Sequence, residues 1–239
     1  CNPAWIVSAE YRRADGSAPP GPPEWPALIN DYFHWGHGIL PGLGDYYVPR
    51  EGARMLVLST GVARPPSDPN WTPHFSRSYH SDQPTGGMIC GGTVATGKCY
   101  DSIELTTTIT VPPNAHGFSF NHAHLSFLLP MTCTPFDDVF RTMVNALDSV
   151  RCSNGGEAFT PSCGAFFTAP SSALVGTGFE NHGGTPWLRT SVPADPGTTV
   201  KLAFAVWDSQ SGEADLESVI DHFQWSTDTI VSVSTVVQP

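Results

Sequence analysis

Residues 103–111 alternate apolar and polar side chains and stop at Pro112 and Pro113. A two-residue period belongs to a strand with one buried face, and proline offers no amide for the next ladder bond. Residues 117–129 repeat the pattern, with Phe118, Phe120, His122 and His124 on one face. Ser119, Asn121, Ala123 and Leu125 fall on the other. Residues 55–60 predict a short buried strand ended by Gly61, and 139–144 another followed by a turn. Residues 229–237 predict a last alternating strand. Between them, residues 201–225 read as two buried strands joined by an acidic loop, a hairpin in outline. Leu202, Phe204 and Val206 alternate in the first arm; Val219, Ile220, Phe223 and Trp225 fill the second.

No stretch shows a sustained helical period. Residues 18–26 are too proline-dense for regular hydrogen bonding. Residues 1–50 are still rich in aromatics, which a disordered tail lacks, so they predict an ordered wrap with little regular structure. Residues 64–90 and 150–187 predict long loops. Together these patterns predict one all-β domain over 1–239: a jelly-roll-like β-sandwich from residue 51 with long ordered loops, preceded by a Pro-rich irregular N-terminal segment packed on it.

Composition supports this and narrows function. Gly and Pro number 23 each, and charged residues make up only 14% of 239, which favours turns over long helices. Eleven Lys and Arg against 22 Asp and Glu give a formal charge of −11. That argues against nucleic acid and anionic membranes and is permissive for cations. No run is long enough for a membrane span. Six cysteines without a CxxC pair suit disulfides in an oxidising compartment. Cys90–Cys99 and Cys152–Cys163 are the preferred local pairings. A chain that begins at Cys1 and lacks a leader reads as the trimmed form of a longer, exported precursor.

Candidate chemistry concentrates in two places. Asp208, Glu213, Asp215 and Glu217, with Gly212 for the bend and Asp221 beyond, offer oxygens to a hard cation such as calcium; the alternative is a solvated loop. His122 and His124, two residues apart on one strand face, are spaced to share copper or zinc; the alternative is a hydrogen-bonded core pair. His34, His116, His182 and His222 read as ordinary loop or surface residues. Trp187, Trp207 and Trp225 suggest either a sugar platform or core packing, the latter favoured. GxSxG, HExxH and phosphate-loop signatures are absent. Asp137 and Asp138 would need an opposing acid to hydrolyse a glycoside.

The segments 55–63, 111–120, 133–140, 174–190 and 201–225 occur in an order that resembles the choice-of-anchor L type domain of bacterial surface proteins. That family is related to the secreted copper-binding proteins of methane-oxidising bacteria (MopE/CorA type). The resemblance covers roughly residues 55–225. It implies an exported sandwich with calcium positions near Asp137, Asp138, Asp208, Asp215 and Asp221. Ser211 and Leu216 depart from the family pattern and weaken one of them. His122 and His124 stand where that family usually places aromatics, and their spacing suggests copper, with a third ligand from His74, His80 or residues 33–37. The Trp-x-His arrangement of the copper proteins fits Trp35 with His37. Trp71 with His74 misses that spacing by one but lies in the more family-like loop, so both pairs are candidates for a modified tryptophan and its histidine. The expected function is therefore a secreted or cell-surface metal-binding protein, with copper on histidines and calcium on acidic loops, and no catalysis unless copper supports an oxidase. The alternative is a calcium-dependent adhesion or carbohydrate-binding module whose partner is a cell-surface glycan or protein.

Overall fold

The structure is a computed structural model and describes residues 5–13, 35–69, 71, 81–82, 99–128, 139–145, 147–148, 167–209 and 214–238. Its strands, in chain order, begin with β1 (Ile6–Arg12), β2 (His37–Leu40), β3 (Met55–Ser59), β4 (Ser81–Asp82) and β5 (Cys99–Thr110). They continue with β6 (Gly117–Ser126), β7 (Val139–Val144), β8 (Leu147–Asp148), β9 (Phe167–Thr168) and β10 (Gly183–Gly184). The last four are β11 (Leu188–Pro193), β12 (Thr199–Ser209), β13 (Leu216–Ser226) and β14 (Ser234–Val237).

These strands form two antiparallel sheets. The first runs β1-β5-β12-β7-β8, with β4 also on β5; the second runs β14-β11-β6-β13-β3-β2, with β10 also on β6 and β9 on β10. From β5 to β7 and again from β11 to β13, successive long strands alternate between the sheets. The order β3-β13-β6-β11 over β5-β12-β7-β8 is the jelly-roll arrangement. The all-β sandwich expected from the alternation is thus present. The first fifty residues contribute more regular structure than their composition suggests, since β1 and β2 join one sheet each; the proline-dense run lies outside the described residues.

The segment 201–225 differs from the expected hairpin. β12 lies between β5 and β7 in the first sheet, whereas β13 lies between β6 and β3 in the second. Each arm carries its own apolar row, Leu202, Phe204 and Val206 on one and Leu216 and Ile220 on the other. Crossing between sheets lets those rows face each other over one core and bury both. A hairpin would have set them side by side.

A second core lies on the outer side of the second sheet. Val57, Ala123, Leu125 and Val219 point away from the sandwich interior and pack with Leu43, Tyr47, Leu174, Phe179 and Trp187. The Tyr47 hydroxyl donates to the Thr185 carbonyl at 2.9 Å, tying these coverings together. β6 is consequently buried at every position. Gly184 fits here because an added Cβ would meet the Tyr47 hydroxyl at 2.5 Å.

β13 contains a bulge. Asp221 stands opposite Asn121, but Gln224, not residue 223, stands opposite Ser119. His222 adopts φ +54°. The extra residue reverses the alternation. Before it, even-numbered side chains face the core; after it, Phe223 and Trp225 do, and Gln224 turns outward.

Candidate functional site

His122 and His124 lie in the dry space between the sheets, both fully buried. β6 places them on its inner face, as the alternation predicts. Their rings bond to each other, His122 Nδ1 to His124 Nε2 at 2.8 Å. The remaining nitrogens meet hydroxyls: His122 Nε2 with Thr190 Oγ1 at 2.8 Å and His124 Nδ1 with Ser218 Oγ at 2.9 Å. Thr190 in turn shares a 2.8 Å hydrogen bond with Thr235 on the edge strand β14. Phe140, from the opposite sheet, covers both rings with centroids 5.6 and 4.4 Å away. Burial pushes the His122 imidazole down to about 3. Burial, and then its neighbour His122, hold His124 well below the ordinary histidine range. Both rings are therefore neutral at pH 7.

As placed, this pair does not fit a shared metal ion. Two imidazole nitrogens on one tetrahedral ion at ~2.05 Å stand about 3.3 Å apart, whereas these are at hydrogen-bonding distance and each ring's other nitrogen is engaged. Among the described residues, no group of three or more His, Cys, Asp or Glu side chains is arranged to hold a metal. His37 sits on β2, three strands from β6, or about 14 Å at ordinary strand spacing. It stacks instead on Tyr11, with centroids 3.8 Å apart. Trp35 lies under the Arg64 guanidinium, and the Trp71 amide donates to the Asp68 carbonyl. His74 and His80 lie outside the described residues.

The acids separate into three environments. Asp208 lies near the end of β12 and is buried. Asp215 and Glu217 flank Leu216 at the start of β13 and are buried together. Burial, and then the neighbouring Asp215, push the Glu217 carboxyl well above the usual carboxylate range, with Arg64 partly offsetting them. Gly61 leaves room for this acidic end, since a Cβ there would fall 2.1 Å from Asp215 Oδ2. Asp221 stands apart, its Oδ2 accepting the backbone amides of Arg50 and Glu51. Asp137, Asp138 and residues 210–213 lie outside the described residues. Glu217 is the member that the resemblance omits; its alternation with Asp215 is the signal that marks it.

The tryptophans pack as cores. Trp187 and Trp207 are 1% and 5% exposed, which denies either a place on a sugar platform. Trp225 packs edge-on against Trp5, Phe118 and Phe223. The Cys90–Cys99 and Cys152–Cys163 pairings fall outside the described side chains.

No protein-family model matches the chain, and no curated protein matches it. Among solved structures it is similar to the crystal structure of a β-glucosidase from Kluyveromyces marxianus, at 10% identity and a TM-score of 0.26. The match covers 79% of this chain and 19% of that one. A likeness this slight carries no argument about fold or chemistry.

Proposed function

We propose that the chain is a non-catalytic binding module of a secreted or cell-surface protein, steadied by calcium at its acidic end, whose partner is a surface glycan or protein. The observation that carries this reading is the pair Asp215 and Glu217, two acids buried together where β13 begins. Their mutual repulsion is what a hard, oxygen-seeking cation relieves. Asp208 is a further buried acid among the described residues. The jelly-roll order and the motif order of residues 55–225 support an exported surface domain of the choice-of-anchor L kind. Copper on His122 and His124 is not part of the proposal, because their ring nitrogens are already engaged.

Thermal unfolding in calcium and in chelator tests the reading. A ligand present at one hundred times its Kd adds about 2.7 kcal/mol, which for a chain of this size raises Tm by roughly 5 °C. The increment should vanish in Asp215→Asn/Glu217→Gln. An identical Tm with and without calcium would remove the calcium from the proposal. A glycan array in calcium, blank throughout and accompanied by no bound surface protein, would remove the module.

A further inference from the structure

The outer face of the second sheet is divided. Its apolar half lies under Tyr47, Leu174 and Trp187. Its other half is polar across β13, β6 and β11: Asp221, Asn121 and Arg189 form one row, which the exposed Val236 of β14 ends beside Arg189. Gln224, Ser119 and Ser191 form the next. Asn121 and Ser119 are buried at the floor, while Arg189, Ser191, Asp221, His222 and Gln224 are half-buried and reach solvent. The β13 bulge builds this half, because it turns Gln224 outward and sets His222 beside Asn121.

Three details give the face the character of a ligand site. Arg189 Nη2 donates to Ser119 Oγ at 2.7 Å and to Gln224 Oε1 at 3.3 Å, which fixes its guanidinium over the sheet. Among the described residues no carboxylate lies within ion-pair distance of Arg189. Asn121 Nδ2 lies 3.4 Å from His222 Nδ1, while its buried Oδ1 accepts no hydrogen bond among the described residues. A buried amide oxygen without a donor is costly, and a left-handed conformation at a non-glycine residue is the kind of outlier that collects at binding sites. Asp221 is already occupied on one oxygen by the Arg50 and Glu51 amides, and it stands two strand spacings from Arg189, about 10 Å. The fixed cation and the acid thus sit at opposite ends of one row, with the Asn121 amide between them.

We infer that this polar half binds a carboxylate-bearing saccharide, a uronic-acid unit of a glycan. Its carboxylate pairs with Arg189. Its hydroxyls take the acceptor and donor positions of Asn121, Gln224, His222 and Asp221. Neutral sugars forgo the charge pair with Arg189. The inference rests on the binding-module reading and names the ligand class for it.

Calorimetric titration of the folded, calcium-loaded chain with uronic-acid oligosaccharides, and with neutral oligosaccharides of equal length, tests it. Saturable binding of the uronates alone is expected. Arg189→Ala should weaken it at least tenfold, and Gln224→Ala several-fold. Arg189→Lys keeps the charge and should recover part of the affinity, and it serves as the test if the alanine variant does not fold. Val231→Ser, at a position 89% exposed, should leave affinity unchanged. Failure of uronates to bind, equal affinity for neutral oligosaccharides, or affinity indifferent to both Arg189 variants would overturn the site. Binding to neutral glycans untouched by Arg189 would overturn it while leaving the module reading standing.

Discussion

Exchanging His122 for leucine removes the ring that bridges Thr190 and His124 in the middle of the sandwich. Thr190 keeps Thr235 as a partner, so its loss is small. His124 keeps Ser218 at Nδ1 but loses its 2.8 Å bond at Nε2. Stranding one buried polar group costs about 1–3 kcal/mol, and the change of shape adds roughly 1 kcal/mol. His122→Leu should therefore cost about 2–4 kcal/mol. Adding His124→Leu removes the stranded nitrogen too, so the double variant should cost less than the sum of the singles and approach the cost of one. The pH dependence supplies the sharper readout. Both rings have folded pKa values below the unfolded one, so the unfolded chain binds protons that the native chain refuses. Stability from this source is complete above about pH 6.5 and declines as pH falls toward the folded value of about 3 for His122. The slope is about 1.4 kcal/mol per pH unit per histidine, so His122 alone withdraws about 3 kcal/mol between pH 6.5 and 4. Urea unfolding at pH 8, 6.5, 5 and 4 measures it. Wild-type stability that stays flat from pH 6.5 to 4, or a double variant as steep as wild type, would refute the buried neutral pair.

Three other outcomes are expected. Copper added at pH 7 should raise the Tm of wild type and His122→Leu/His124→Leu equally or not at all; a wild-type-specific increment would show that the rings part to hold the ion. Gly61→Ala forces a Cβ into the Asp215 carboxyl, and should cost about 1–3 kcal/mol and blunt the calcium increment; unchanged calcium-dependent melting would argue that Asp215 moves freely. Trp187→Ala empties the outer core and should cost about 3–5 kcal/mol, measured by denaturant midpoint, while a loss under 1 kcal/mol would mean that the Tyr47 covering is not a true core.

The strands were legible because alternation reports burial directly: β3, β5, β6 and β12 lie where residues 55–60, 103–111, 117–129 and 201–206 predict them. Which strand pairs with which was not legible. Leu202 and Ile220 face the same core whether their strands share a sheet or oppose each other, and a short connecting segment permits either. β1 was hidden because Ile6 and Val7 are exposed, so its edge position leaves no apolar row to read. The histidine pair was placed correctly on its face, but its chemistry depends on Thr190 and Ser218, which lie 68 and 94 residues away from their partners. The polar half of the second sheet was invisible as a set, since Asn121, Arg189 and Gln224 meet only through register. One trace of it was available: the apolar phase shifts from Leu216 and Ile220 to Phe223 and Trp225, which is how a bulge reads in sequence.

The strand order has a kinetic consequence. β3 pairs with β13 alone on one side, and β13 completes at Ser226; Val57 must await Val219, more than 160 residues later. Closing loops of that length precedes any reward from the contacts they bring, which makes such chains slow to fold. A nascent chain therefore keeps β3 and β6 without their shared neighbour until β13 is available. Truncation between β6 and β13 would leave two separated strand edges in place of a continuous sheet, each a template for pairing with another copy.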